Sequence, residues 1–162
     1  MIGTVDKDLG SIYLYPAALE VSVSPKMIQT ILGSCIAVCL YDQVKKSGGM
    51  NHYMLPYWNG NGLATPKYGN IAIEKLIAQM VSSGSRQEHL IAKVFGGAAV
   101  IETMPNSFNI GERNCEVALE ILQAYGIPVV ARSTGGKLGR KIIFNTSSGE
   151  VIHRFIKPDE IK

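Results

Sequence analysis

The chain has 162 residues, of which 46% are hydrophobic and 18% charged, and its formal net charge is +3. This length fits one domain of about 100–200 residues, and the hydrophobic share is too high for a disordered protein. The positive charge is not concentrated in a dense Lys/Arg cluster, so we expect no nucleic-acid partner.

Targeting and disulfide signals are missing from the sequence. The N-terminus lacks the basic region and apolar core of a signal peptide, and no apolar run approaches the about 20 residues that span a bilayer. Three cysteines, an odd number, do not give the pattern of a disulfide framework. We therefore expect a cytoplasmic protein that is not inserted in a membrane and keeps its thiols reduced.

The first part of the chain is predicted to form short strands separated by turns. Residues 1–10 contain two glycines and are expected to be a loosely held arm. An apolar run at 36–41 is typical of a strand that is buried on both faces. A polar turn at 42–47 then leads into a second apolar run at 48–56. Earlier strands are predicted at 12–15, 17–23 and 27–32.

Two helices are predicted further along. Thr65 and Pro66 are typical of an N-cap and a first helical position, and apolar residues at helical spacing follow them. Asn109 and Glu112 resemble a capping box for the second helix, which Gly126 ends. Strands are also predicted at 90–95, 129–133, 141–145 and 150–155, the last two joined as a hairpin. With no repeat or linker, residues 1–162 are predicted to form a single mixed α/β (α+β) domain with two main helices and about eight strands.

The candidate functional residues lie where an apolar run is interrupted. Gly33 and Ser34 give the backbone a sharp turn and leave small side chains beside the thiol of Cys35. His52 lies on the next apolar run. Pairing across the intervening turn brings it opposite residues 37–38, one diagonal step of about 7–8 Å from Cys35. A thiol at a tight turn with an imidazole on the next strand is the minimum equipment for a cysteine nucleophile.

The remaining cysteines have a simpler interpretation. Cys39 and Cys115 lie at apolar positions and are expected in the core. Cys35, Cys39 and His52 offer three possible metal ligands, but there is no Cys-x-x-Cys knuckle and no fourth ligand, so we expect no metal.

Polar residues elsewhere are expected to have lesser roles. The glycine-rich segment 135–140 lacks the spacing of a phosphate-binding loop. We expect it to be a turn beside the site from which Lys137 and Arg140 reach an acidic partner. His89 and His153 have no comparable context and are expected on the surface.

Six sequence blocks together resemble one known family. In chain order they are TILGSCIAVCLYD (30–42), GGMNHYMLP (48–56), KYGN (67–70), KVFGGA (93–98), NIGERN (109–114) and TGGKLGR (134–140). Their identity and order are similar to those of CheD, the chemoreceptor glutamine deamidases of bacterial chemotaxis. The resemblance implies helices packed outside mixed sheets, with a Cys/His cleft that holds the thiol.

The resemblance also implies an activity. It is that of a protein-glutamine glutaminase, which deamidates selected glutamines on the cytoplasmic helices of methyl-accepting chemoreceptors without a metal or organic cofactor. A Cys35 thiolate stabilised by His52 would attack the glutamine amide, and backbone N–H groups around Gly33 and Ser34 would hold the oxyanion. Protonated His52 would release ammonia, and water would hydrolyse the resulting glutamyl thioester.

A threonine that orients the histidine is the third member of the family site. An ungapped alignment places it six residues before the cysteine, where this chain has Gln29, whereas Thr30 is five residues before it. Thr30 is short and β-branched, which suits an orienting residue on a strand, so we assign it to the site. Gln29 stays the alternative.

Partners follow from the same resemblance. Besides chemoreceptors, a chemotaxis phosphatase of the CheC type is expected to bind. The first alternative function is therefore an adaptor that regulates this phosphatase and has little turnover of its own. A second alternative is a Cys/His hydrolase acting on small amides.

Overall fold

The structure, a computed structural model, describes residues 9–99 and 109–157. Within these residues the chain forms nine strands and two α-helices. The strands are β1 (Gly10–Tyr13), β2 (Leu19–Ser22), β3 (Lys26–Leu32), β4 (Ile36–Asp42), β5 (Ser47–Asn51), β6 (Leu90–Gly96), β7 (Val129–Thr134), β8 (Gly139–Asn145) and β9 (Val151–Ile156). The helices are α1 (Gly69–Ser82) and α2 (Ile110–Ala124).

The strands are arranged in two mixed sheets. Sheet A has the order β1-β3-β8-β9, and sheet B has the order β2-β5-β4-β6-β7. The pairs β1–β3 and β6–β7 are parallel, and the other pairs are antiparallel. Both sheets contain short connections and parallel neighbours, which is typical of α+β folds.

Two apolar clusters hold three layers together. The first fills the space between the sheets; it includes Ile28 and Phe144 from sheet A and Cys39 and Met50 from sheet B. The second lies between sheet B and the two helices. Strand β4 contributes to both clusters, and all seven of its residues are buried, as its apolar sequence predicted. The predicted mixed α+β fold with helices packed outside the sheets is confirmed.

The helix starts differ in how well the sequence predicted them. Asn109 caps α2 as predicted, because its side-chain oxygen accepts a hydrogen bond from the backbone N–H of Glu112. The predicted start of α1 at Pro66 is wrong, since the helix begins at Gly69. The Thr65 hydroxyl accepts from the Lys67 N–H and so caps a turn that precedes the helix.

Two further predictions concern the N-terminal arm and membrane-spanning segments. Residues 1–8 of the expected loose arm lie outside the described residues, whereas Gly10 belongs to β1. Neither α-helix in the described part of the chain is long and apolar enough to cross a membrane.

Candidate functional site

The β4–β5 hairpin determines how the two central site residues are placed. Cys39 pairs with Met50, and the same register continues to a bridge between Ile36 and Tyr53. That bridge contains two backbone hydrogen bonds, from Ile36 N to Tyr53 O at 3.1 Å and from Tyr53 N to Ile36 O at 2.9 Å. The pairing predicted from the turn at 42–47 is therefore confirmed.

Cys35 and His52 face the space between the sheets. Side chains alternate along a strand, so Cys35 shares a face with Cys39, and His52 shares one with Met50. Cys39 and Met50 both lie in the inter-sheet cluster, and Cys35 packs against it. In the observed register His52 lies opposite Ala37, which puts Cys35 one diagonal step away, a distance of about 7–8 Å between the chains.

Thr30 reaches His52 from the opposite sheet. It is fully buried on β3 and shares a face with Ile28, which lies in the inter-sheet cluster. The Thr30 hydroxyl donates to the carbonyl oxygen of Leu14 at 2.6 Å, and its oxygen lies 2.7 Å from Nδ1 of His52. Because the single hydroxyl hydrogen is used on Leu14, the oxygen must accept the Nδ1–H of a neutral imidazole.

This hydrogen bond selects one tautomer of His52. With the proton on Nδ1, the lone pair is on Nε2. Nε2 is buried and has no hydrogen-bond partner within residues 9–99 and 109–157. A buried polar atom of this kind requires an explanation, and a reacting thiol or a bound substrate supplies one.

Gln29 faces away from this site. Its side-chain amide donates to the Ser11 hydroxyl at 3.2 Å, on the other face of β3. Since neighbouring residues on a strand point to opposite faces, only one of the two alternatives can contact His52. The structure places Thr30 there.

Burial favours the neutral forms of both Cys35 and His52. His52 is 2% exposed, and burial lowers the pKa of its imidazole to about 4. Burial also raises the pKa of the Cys35 thiol, with its own backbone N–H opposing the rise. Burial thus favours a thiol and a neutral imidazole in the packed protein, whereas the thiolate of Cys35 stabilised by His52 stays a prediction from the sequence.

The turn carrying Cys35 is held against the end of β6. Gly97 N–H donates to the Cys35 carbonyl at 2.9 Å, and Ala98 N–H donates to the Gly33 carbonyl at 3.0 Å. Gly96 has a φ of +112°, and a Cβ atom at this position would collide with the Cys35 carbonyl oxygen. Glycine is required here for both reasons.

Asn114 on α2 approaches the same turn from the helix layer. It is fully buried, and its Nδ2 donates to the carbonyls of Ser34 at 2.9 Å and Met54 at 3.0 Å. Asn114 belongs to the sequence block at 109–114 but was not predicted to be a site residue. Its signal was its spacing, since a polar residue three and four positions before Val117 and Ala118 falls on the apolar face of the helix.

Arg140 lies in the interior of the protein and not on its surface. It is 3% exposed, so the prediction that it reaches an acidic partner is wrong. Its guanidinium donates to the Ser133 hydroxyl at 2.9 Å, to the Gly135 carbonyl at 2.9 Å and to the Gly96 carbonyl at 3.3 Å. Arg140 thereby holds the segment 133–139 against the end of β6, while Lys137 is exposed.

The remaining cysteines and histidines lie mostly where the sequence predicted. Cys39 is 1% exposed and belongs to the core, whereas Cys115 is only partly buried against the helix-side cluster. His153 is exposed and His89 is half-buried. Among the residues that the structure describes, no three His, Cys, Asp or Glu side chains are grouped as a metal site.

Comparison with known proteins identifies the family. A family model described as CheD chemotactic sensory transduction matches residues 54–155. A protein of Trichlorobacter lovleyi, named probable chemoreceptor glutamine deamidase CheD, is 54% identical over 86% of this chain and 87% of its own length. A protein of Sulfurimonas denitrificans with the same name is 47% identical over 91% of this chain and 96% of its own length.

The chain therefore belongs to the CheD family, as the sequence blocks predicted. The family-model match begins just beyond His52 and so does not include the candidate site residues. The alignment with the T. lovleyi protein does include them, because a stretch covering 86% of a 162-residue chain necessarily contains residues 30–52.

Proposed function

We propose that the protein is a protein-glutamine glutaminase, a hydrolase of amide C–N bonds that converts selected glutamines on chemoreceptor cytoplasmic helices to glutamate. The observation that carries this proposal is the Thr30–His52 hydrogen bond, which leaves the buried Nε2 of His52 without a hydrogen-bond partner among the described residues. The names of the relatives support the substrate class.

Attack on the amide begins from the neutral pair. Nε2 of His52 takes the proton from the Cys35 thiol as the sulfur bonds to the amide carbon of the glutamine side chain. With a pKa of about 4, His52 is a weak base, so proton transfer accompanies C–S bond formation rather than preceding it. The carbonyl oxygen becomes an oxyanion, for which N–H groups in the turn at Gly33, Ser34 and Cys35 are the candidate donors.

The second half of the reaction returns the enzyme to its starting state. Protonated His52 donates to the amide nitrogen, the C–N bond breaks, and ammonia leaves a glutamyl thioester on Cys35. A water molecule then attacks the thioester while neutral His52 accepts its proton. The C–S bond breaks, the imidazolium protonates the departing Cys35 sulfur, and glutamate is released.

Thr30 serves both halves of this cycle. Its oxygen accepts the Nδ1–H in the neutral and the protonated imidazole, so the ring keeps one orientation while Nε2 gains and loses a proton. The hydroxyl itself is held by the Leu14 carbonyl and cannot rotate without losing that bond. This arrangement is that of a base oriented by a third group.

The proposed function also implies a cellular location and a possible second partner for the protein. Receptor helices that face the cytoplasm place the enzyme in that compartment. Binding of a CheC-type phosphatase stays a prediction from the family resemblance, as does the alternative role as an adaptor of that phosphatase.

One experiment distinguishes these functions. A purified receptor cytoplasmic fragment is incubated with the protein, its glutamines are followed by mass spectrometry, and released ammonia is measured in parallel. We expect site-specific conversion of glutamine to glutamate with the intact protein and with Cys39→Ala, but not with Cys35→Ala. Ammonia release from free glutamine would instead support a small-amide hydrolase. Altered phosphatase activity without any receptor conversion would support the adaptor.

A further inference from the structure

Regular strand pairing stops at the residues that carry the nucleophile and the base. The β4–β5 register ends at the bridge between Ile36 and Tyr53, and the next pair outward would be Cys35 with Met54. That pair would exchange no backbone hydrogen bonds, and at the following pair, Ser34 with Leu55, the Leu55 N–H donates to the Lys67 carbonyl at 3.1 Å and not to Ser34. Backbone pairing between the two segments is therefore lost one residue from Cys35.

The side-chain amide of Asn114 joins these two segments where the ladder ends. Its two Nδ2 hydrogens go to the carbonyl of Ser34, just before the nucleophile, and to that of Met54, two residues after His52. Both donor hydrogens of the amide are thus used on backbone acceptors. One side chain from the helix layer holds together the two strand ends that form the site.

The hydrogen bond to Ser34 also determines the direction of an N–H group. The Ser34–Cys35 peptide is trans, so its C=O and N–H point in opposite directions. Since the carbonyl is held toward α2, the Cys35 N–H is turned away from the helix. This N–H is the backbone donor that opposes the effect of burial on the pKa of the Cys35 thiol.

Asn114 is itself firmly placed. Its backbone carbonyl accepts the Tyr53 hydroxyl at 2.5 Å. One turn earlier, Gly111 packs directly on the backbone of Gly97 and Ala98, where a Cβ atom would collide with their carbonyl oxygens. The helix is therefore fixed to Tyr53 and to the chain that follows β6, which in turn is hydrogen-bonded to the turn carrying Cys35.

We propose that Asn114 is a positioning residue of this site, whose amide orients the Ser34–Cys35 peptide so that the Cys35 N–H faces the sulfur and the oxyanion. The part that concerns the oxyanion rests on the proposed glutaminase function. The part that concerns the thiol does not require any substrate.

Matched variants test the proposal in the full chain. Asn114→Leu keeps the branching at the same carbon, with a larger volume, and has no donor. Asn114→Ser is smaller and keeps a hydroxyl that is too short for both carbonyls. Val117→Ala on the same helix is the control, because Val117 is 2% exposed and lies in the helix-side cluster. The pH dependence of Cys35 alkylation by iodoacetamide and the kcat and KM for a receptor fragment are measured for each.

We expect the Asn114 variants to titrate the Cys35 thiol at a higher pH and to lose at least about 10-fold in kcat with KM unchanged. Removing an oxyanion donor altogether lowers kcat by about 10²–10³-fold. A donor that is present but misdirected should lose part of that stabilisation. Val117→Ala should lose stability alone. A folded Asn114→Leu with the wild-type thiol titration and kcat would overturn the proposal.

Two further outcomes are informative. If neither Asn114 variant folds, the proposal is tested by hydrogen exchange of the side-chain amides in the 15N-labelled wild-type protein. The Asn114 side-chain protons should exchange far more slowly than those of the exposed Asn59 and Asn61. Equal exchange rates would overturn the proposal. If the wild-type protein deamidates no receptor fragment but Asn114→Leu still shifts the thiol titration, the positioning role stands and the proposed function fails.

Discussion

Cys35 and Cys39 lie four residues apart and face the same inter-sheet cluster, yet their surroundings differ. Cys39 is 1% exposed, and its backbone pairs with Met50 on one side and Lys93 on the other. Burial raises the pKa of its thiol far above the ordinary value. Cys35 is only partly buried, stands one residue beyond the last bridge to the next strand, and lies diagonally across from His52.

The difference shows that position along the strand, rather than the face of the sheet, separates the partly buried thiol of Cys35 from the fully buried thiol of Cys39. At Cys39 the two sheets and both neighbouring strands surround the sulfur, so it behaves as a small apolar side chain. At Cys35 a Gly-Ser turn replaces the strand, and the thiol is only partly buried against the same apolar cluster. The following predictions test this contrast.

Replacing the two cysteines should have opposite effects. Cys35→Ala should abolish deamidation and leave the fold intact, because alanine fits the small-residue turn. Cys39→Ala should keep full turnover and lose about 1 kcal/mol of unfolding free energy, the cost of a small buried group. Ammonia release and denaturant unfolding measure the two effects. The opposite result would identify Cys39 as the nucleophile.

The second largest effect is expected at the base. His52→Gln should lower turnover by about 10²–10⁴-fold, the usual contribution of a positioned general base. In the wild-type protein, kcat/KM should not fall as the pH is lowered through 6.5, because burial keeps the His52 imidazole neutral down to about pH 4. An acid limb centred near 6.5 would mean that a different, solvated histidine is the base.

The same pKa shift predicts a pH dependence of stability. The folded-state pKa of His52 is about 4 and the unfolded value about 6.5, so below pH 6.5 the unfolded chain binds the proton more readily. Stability should therefore be complete above pH 6.5 and fall by at most about 3 kcal/mol on acidification toward pH 4. His52→Gln should lack this component, whereas a variant of the exposed His153, His153→Gln, should keep it.

The smallest expected effect concerns the orienting residue. Thr30→Val removes the hydroxyl and keeps the shape, and it should lower turnover by about 10- to 150-fold, or 1.4–3 kcal/mol. Gln29→Leu should have little effect, because Gln29 faces Ser11 on the other side of β3. Greater damage from Gln29→Leu would show that the ungapped alignment, and not the strand face, identifies the orienter.

Local spacing predicted the parts of the site that lie on neighbouring strands. The turn at 42–47 and the apolar runs beside it determine the hairpin register, and the register determines that His52 lies opposite Ala37. Period-two alternation separates Thr30 from Gln29, but the sequence does not reveal which face of β3 meets sheet B. The roles of these residues in catalysis stay proposals.

The parts that were missed depend on contacts between distant elements. Asn114 bonds to backbone carbonyls 60 and 80 positions earlier in the chain, and carbonyls leave no mark in a sequence. Arg140 looked like a surface cation because burial of a guanidinium depends on acceptors from other segments. The pKa directions of Cys35 and His52 likewise require the packed interior. Thr65 and Pro66 were misread because a helix start and a turn share the same local signature.

The hydrogen bond from His52 to Thr30 crosses between two separate sheets, and the chemistry therefore cannot be transplanted with the Gly-Ser-Cys turn alone. A peptide or grafted hairpin with residues 33–52 would carry a thiol and an imidazole with nothing to orient the ring. In the intact protein, a treatment that separates the two sheets, such as hydrostatic pressure or dilute denaturant, should abolish activity before the secondary structure is lost. Enzyme activity should therefore report on whether the two sheets are in contact.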